Sequence, residues 1–117
     1  MNDILEANLD GLRKVYSHYW EPRKKYMTEH DAMNLMMRDT ALNMIEKDAN
    51  YCYGMSKMSV ILESMDVWQY KQLKFVELLE LIGRIANHKF KGTDNEGLPL
   101  AKKIEYVLDI VLRLVEV

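Results

Sequence analysis

The sequence predicts an all-α domain made of two helix–loop–helix units and a final helix. Three observations carry that prediction. Apolar residues recur at spacings of three and four along most of the chain. No stretch alternates over the length of an ordinary strand. The interruptions between apolar stripes fall at proline, glycine and polar clusters.

Ile4, Leu5, Leu9, Leu12, Val15, Tyr16 and Tyr19 form one helical stripe, with Asn2 or Asp3 available as its cap. Pro22 stops it, because proline lacks the amide and restricts the residue before it. A second helix opens at Thr28, three residues before Asp31, in a weak form of the capping box. Its stripe runs through Ala32, Met33, Leu35, Met36 and Met37 and continues less regularly to Leu42 and Ile45. Glu46 to Gly54 is polar and aromatic and reads as a linker, after which Ser56 caps a short helix carrying Met58, Ile61, Leu62 and Met65. Phe75, Leu78, Leu79, Ile82, Ile85 and Ala86 give the strongest stripe, with Gly83 inside it as the mark of a close helix crossing. Lys91 to Gly97 is a turn-rich loop, and Pro99 starts a last helix whose inner face is Leu100, Ile104, Val107, Leu108, Val111, Leu112 and Val115.

Composition narrows the function classes. A chain of 117 residues suits one domain with a single modest core. Its net charge of -2 supplies no global field for nucleic acid or an anionic membrane, so neither is expected as a partner. The basic clusters Arg23–Lys25 and Lys89–Gly92 read as solvated loop or helix ends. The lone Cys52 excludes an internal disulfide and fits a reducing compartment. The N-terminal segment lacks the apolar run of a signal peptide, and no stretch reaches the roughly 20 apolar residues of a membrane span. The expected location is cytoplasmic.

An internal repeat is visible. Each half reads helix, loop of about a dozen residues, helix. An apolar residue precedes the second helix, Met27 in one half and Leu73 in the other, and an acid stands four residues later, Asp31 and Glu77. On these residues the chain resembles a degenerate EF-hand pair over about residues 5 to 90. The further pattern of Met27, Thr28, Arg38, Asp39, Leu73, Phe75, Glu77, Arg84, Ile85, Ala86, Lys89 and Phe90 is similar to EF-hand-like modules of cytoskeletal and ciliary proteins. It is similar also to the tubulin polymerization-promoting family. The resemblance implies an EF-hand-like pair over residues 1–91, with a loop and helix at 92–117 packed on it. It also implies loops running from Trp20 to Asp31 and from Asp66 to Glu77, with Met27 and Leu73 at the eighth position bridging the two loops.

The ligand positions depart from that pattern. In the first loop, positions one, three and five are Trp20, Pro22 and Lys24. In the second, positions three, five and six are Trp68, Tyr70 and Lys71. Calcium takes six to eight oxygens, several of them charged, and neither loop supplies them. Glu77 is expected to cap or pair locally with Lys71 or Lys74, at a surface value of at most about 1 kcal/mol.

No other chemistry stands out. His18 and His30 flank the first loop without a cysteine pair, the glycines are scattered, and nothing marks Cys52 as a nucleophile. No cofactor and no catalytic role is expected. The chain has nine methionines, and Met33, Met36, Met37, Met44, Met55, Met58 and Met65 crowd its middle; methionine fills irregular cores and lines adaptable helix-binding grooves. The reading is therefore a calcium-independent scaffold or adaptor that binds a partner helix, with a microtubule or ciliary assembly implied by the resemblance. Its candidate partner-binding residues are Met33, Met36, Met37, Met58, Leu62, Leu79 and Ile82 as groove or core lining, with Trp20, Trp68 and Tyr70 as aromatic anchors. A calcium sensor with an atypical loop and a small helical ligand-binding domain are the alternatives.

Overall fold

The computed structural model describes residues 3–60 and 72–115, with side chains through Lys57 in the first stretch. The described residues are mostly helical, in the order α1 (Asp3–Ala7), α2 (Leu9–His18), β1 (Met27–Thr28), α3 (Glu29–Asn34), α4 (Glu46–Val60), β2 (Gln72–Leu73), α5 (Phe75–Lys89) and α6 (Leu100–Val111). A π-helical turn, Leu35–Asp39, extends α3, and a 3-10 turn, Leu112–Leu114, extends α6.

The first apolar stripe is split in two by Asn8. Its side-chain amide donates to Ile4 O at 2.7 Å, taking the carbonyl that its own backbone amide would use in an unbroken helix. That amide bonds Leu5 O at 3.1 Å instead. Leu12 and Val15 still reach the core from α2. Beyond Pro22 the chain turns tightly, with Glu21 and Lys24 exchanging two backbone hydrogen bonds of 2.9 and 3.0 Å.

Thr28 and Asp31 form the full reciprocal capping box. The Asp31 amide donates to Thr28 Oγ1 at 3.1 Å, and the Thr28 amide donates to Asp31 Oδ2 at 3.0 Å. The π-helical turn then ends where Thr40 Oγ1 donates to Leu35 O at 2.6 Å. Because this turn adds a residue to each hydrogen-bonded ring, the apolar stripe loses register after Met37. Leu42 is buried and Ile45 is exposed accordingly.

The segment expected as a linker is instead the first part of α4, a helix of 15 residues. Among its described side chains the inner face is Ala49, Cys52, Tyr53, Ser56 and Lys57, spaced as a helix requires but with no large aliphatic side chain. Glu46 and Asp48 stand in its first turn, where the helix dipole favours acids. Ser56 is accordingly a mid-helix residue, its hydroxyl donating to Tyr53 O at 2.8 Å.

Helix α5 is the centre of the fold. Leu78, Leu79, Leu81, Ile82, Ile85 and Ala86 are buried, and α4 and α6 lie against it. Pro99 caps α6, which buries Ile104, Val107, Leu108 and Val111 on α5 and on α1. One hydrophobic cluster runs from Leu5 to Val111, so the last helix belongs to the same core as the paired loops.

Gly83 marks no close crossing, since a Cβ placed there would meet nothing within 4 Å. The close approach lies at Gly11, where a Cβ would come within 2.8 Å of Leu112 Cδ2. Gly83→Ala should therefore raise unfolding stability by about 1 kcal/mol, the helix-propensity difference, as read by urea denaturation. Gly11→Ala should gain less, because the Leu112 side chain must give way.

Candidate functional site: the paired loops and the methionine groove

β1 and β2 form a two-stranded antiparallel ladder in which Met27 pairs with Leu73 and Thr28 with Gln72. Both apolar partners are fully buried, which sets each at the foot of the helix that follows. Tyr16 of α2 clamps the ladder by donating its hydroxyl to Leu73 O at 2.7 Å. Its ring packs edge-on against Phe75 and Trp20, with centroids at 5.6 and 6.2 Å, and the Arg13 guanidinium sits 4.5 Å above the Phe75 ring.

Each acid following the ladder holds an ammonium of the chain itself. Glu77 faces Lys57, whose Nζ lies 2.8 Å from both carboxylate oxygens and 2.7 Å from Gln72 O. These side chains are only 1% and 2% exposed. The Lys74 backbone amide donates to Glu77 Oε1 at 2.8 Å, so the carboxylate also caps α5. Among the described residues, Glu77 thus makes a buried pair with a lysine from α4 rather than the surface pair with Lys74 expected from sequence. Proximity in sequence favoured the local lysines, whereas the packing of α4 on α5 supplies Lys57. Lys71 lies outside the described residues.

In the first loop Lys24 Nζ reaches Asp31 Oδ2 at 2.9 Å, with both side chains partly exposed. The tight turn between Glu21 and Lys24 aims the lysine back at α3. Its hydrogen bond to Asp31 raises the Lys24 pKa above the ordinary lysine value. Among the described residues, the acid of each loop is thus already paired with an ammonium, and the oxygens around Lys57 Nζ stand at 2.7–2.8 Å, wider than the 2.3–2.6 Å of calcium coordination.

The candidate partner-binding residues separate into three groups. Met33 and Met37 are half-buried and line a groove of about 370 Å³ with Glu29, His30, Asn34, Arg38, Glu46 and Asn50. Met36, Leu79 and Ile82 lie in the core, within the contact of α3, α4 and α5, and offer no surface to a partner. Trp20 is exposed at 42% at the start of the first loop. Met58, Leu62, Trp68 and Tyr70 fall outside the residues whose side chains are described. A second groove of about 440 Å³ lies across the first turn of α4, lined by Leu42, Asn43, Met44, Ile45, Asp48, His88, Lys89 and Lys91.

Sequence reasoning missed Lys57 and the second groove. Lys57 lies one residue past Ser56 on the Ala49–Cys52–Tyr53–Ser56 face, a signal readable only once that segment is taken as helix. His88 Nε2 lies 3.1 Å from Asp48 Oδ1, while its Nδ1 is buried with no hydrogen-bond partner among the described residues. Cys52 is one turn from Asp48, but burial pushes its thiol up to about 11, and Sγ donates weakly to Arg84 O at 3.9 Å. Such a thiol stays protonated at neutral pH and is a poor nucleophile. His18 and His30 are exposed, and no cluster of metal-ligating side chains occurs among the described residues.

No protein-family model, curated protein or solved structure matches the chain. Among the described residues, no helix is long and apolar enough to cross a membrane.

Two outcomes follow from the site. Glu77→Ala strands a buried ammonium and should lower stability by about 3–5 kcal/mol in urea denaturation, whereas Cys52 should react with a thiol reagent at neutral pH only after unfolding. Burial also raises the Tyr16 and Tyr19 phenols above the ordinary tyrosine value, Tyr19 the more strongly with help from its hydrogen bond to Asp39. The folded state favours the neutral phenol, so this stability is complete below the ordinary tyrosine value and is lost as pH rises through the folded values. Lys24, raised as well, loses its contribution in the same direction. Alkaline titration followed by tyrosinate absorbance should therefore show a late component that Tyr19→Phe removes.

Proposed function

We propose that the chain is a non-catalytic protein-interaction module, an EF-hand-like pair that holds its form without calcium and presents a methionine-lined groove to a partner helix. One observation carries the reading. The acids that would grip an ion in each loop are held by Lys24 and Lys57, so the helices are set without a ligand. The Met27–Leu73 ladder supports the EF-hand-like pairing, since the repeat places these two residues at equivalent loop positions. The groove beside Met33 and Met37 supports the binding role. It pairs flexible, polarizable side chains with a rim of Glu29, Arg38 and Glu46 that can orient a helix by charge. Trp20, exposed next to Tyr16, is the aromatic anchor on the loop side. The partner class that the resemblance names is a cytoplasmic microtubule-based or ciliary assembly.

The test has two arms. Calorimetric titration with calcium and magnesium should give no micromolar binding; a micromolar isotherm sinks the calcium-independent reading. Co-sedimentation with microtubules and affinity capture should then be run with wild type and with Met33→Glu/Met37→Glu, whose half-buried positions spare the core. Partner recovery should fall at least about tenfold in the variant, a loss of 1.4 kcal/mol or more. Equal recovery from both chains removes the groove from the proposal.

A further inference from the structure

The lysine at the second loop can be read as an ion on a tether. Three oxygens, both of Glu77 and the carbonyl of Gln72, converge on Lys57 Nζ at 2.7–2.8 Å. An ammonium has three N–H donors, and among the described residues these three oxygens are its acceptors. The cradle is buried, carries the charge of one carboxylate among the described residues, and is joined to the backbone at Lys74 N. A solvent-exposed pair would need none of this. The first loop reaches the same end by another route, with a lysine from inside the loop meeting the equivalent acid. Two lysines of unrelated position, one on a helix and one in a loop, thus neutralise the two acids that the internal repeat makes equivalent.

The position of Lys57 gives the arrangement a mechanical role. Its stem rises from α4, its ammonium grips Gln72 of β2, and the carboxylate it neutralises caps α5. One cation therefore fixes α4, the ladder and α5 relative to one another. In an ion-gated pair of helices that cation arrives from solution and sets the angle between them. Here it is permanently supplied.

We propose that Glu77 and Gln72 form a cation-binding cradle whose resident ion is the Lys57 ammonium, and that cutting the tether leaves a site for a free primary alkylammonium. The hydrogen-bonding distances of 2.7–2.8 Å at the described acceptors favour an N–H-bearing cation over calcium or a quaternary ammonium. The inference stands on the loop geometry and is independent of whether the methionine groove binds a protein.

The experiment compares Lys57→Ala, which opens the space, with Lys57→Met, which fills it without charge. Thermal unfolding is measured in ethylammonium, tetramethylammonium and calcium chloride at equal ionic strength. A ligand that binds only the folded state raises the unfolding midpoint in proportion to the logarithm of its concentration. Lys57→Ala should regain most of its lost midpoint in ethylammonium, and not in tetramethylammonium or calcium. Lys57→Met and wild type should respond to none of the three beyond the general salt effect. An equal response of Lys57→Ala to all three salts, or a calcium-selective one, overturns the proposal. Should Lys57→Ala be unfolded alone, ethylammonium-dependent folding seen by circular dichroism supports the cradle. Failure to fold in any salt passes the decision to wild type. There, proton–nitrogen correlation spectra should show a slowly exchanging lysine Nζ–H signal that Glu77→Gln shifts or loses, and its absence from wild type overturns the proposal.

Discussion

The fold depends on a buried charge being answered. Glu77 is placed in the core by its position at the N-terminus of α5, where it caps the helix and shares the inner face with Leu78 and Leu81. Such a carboxylate is tolerable only with a counter-charge and saturated hydrogen bonds. Lys57 and the Lys74 amide provide them, and in doing so they determine which face of α4 turns inward. The short ladder, the Tyr16 clamp and the contact of α4 with α5 all converge within a few residues of this pair. Desolvation makes such a pair an uncertain source of net stability, yet it discriminates sharply between arrangements, because any packing that separates its members leaves an unpaired charge. Its contribution is thus to geometry more than to the sum of stabilising terms.

What could be read from residues alone follows from how strongly each element declares itself. Helix α5 has a long aliphatic stripe, and α6 pairs such a stripe with a proline start, so both were legible. The Thr28–Asp31 box was legible because its two members are only three residues apart. The equivalence of Met27 and Leu73 was visible as a repeat of spacing, and the ladder joins those same residues. Helix α4 was not legible because its inner face is Ala49, Cys52, Tyr53 and Ser56, which hydropathy scores as weak. Missing that helix hid Lys57, whose role exists only when α4 lies against α5. The break at Asn8 escaped for a different reason, since one side-chain hydrogen bond there outweighs the continuity of the stripe. The candidate site divides by the same spacing: Met33 and Met37, four residues apart, are half-buried, while Met36 shares the buried face of Ala32 and Leu35.

Two grooves flank the first turn of α4, one with Met33 and Met37 and the other with Met44 and Ile45. That turn is a narrow ridge carrying Glu46 on one side and Asp48 on the other, so a helix lying along either groove would run beside acidic side chains. Behind the second groove, the buried His88 Nδ1 has no hydrogen-bond partner among the described residues. The broad apolar interior and this polar-edged surface are therefore separated by a single helical turn.

The π-helical turn at Leu35–Asp39 sets where that surface begins. A helical residue advances by about 100° around the axis, so one residue more or less in a turn re-aims everything beyond it. Among related chains, the loss of a single residue here would leave composition and hydropathy almost untouched while swinging Met37 and Arg38 away from Met33. The groove is thus a product of residue count as well as residue type, and length variation at this one turn would separate chains that share the groove from those that share only the scaffold.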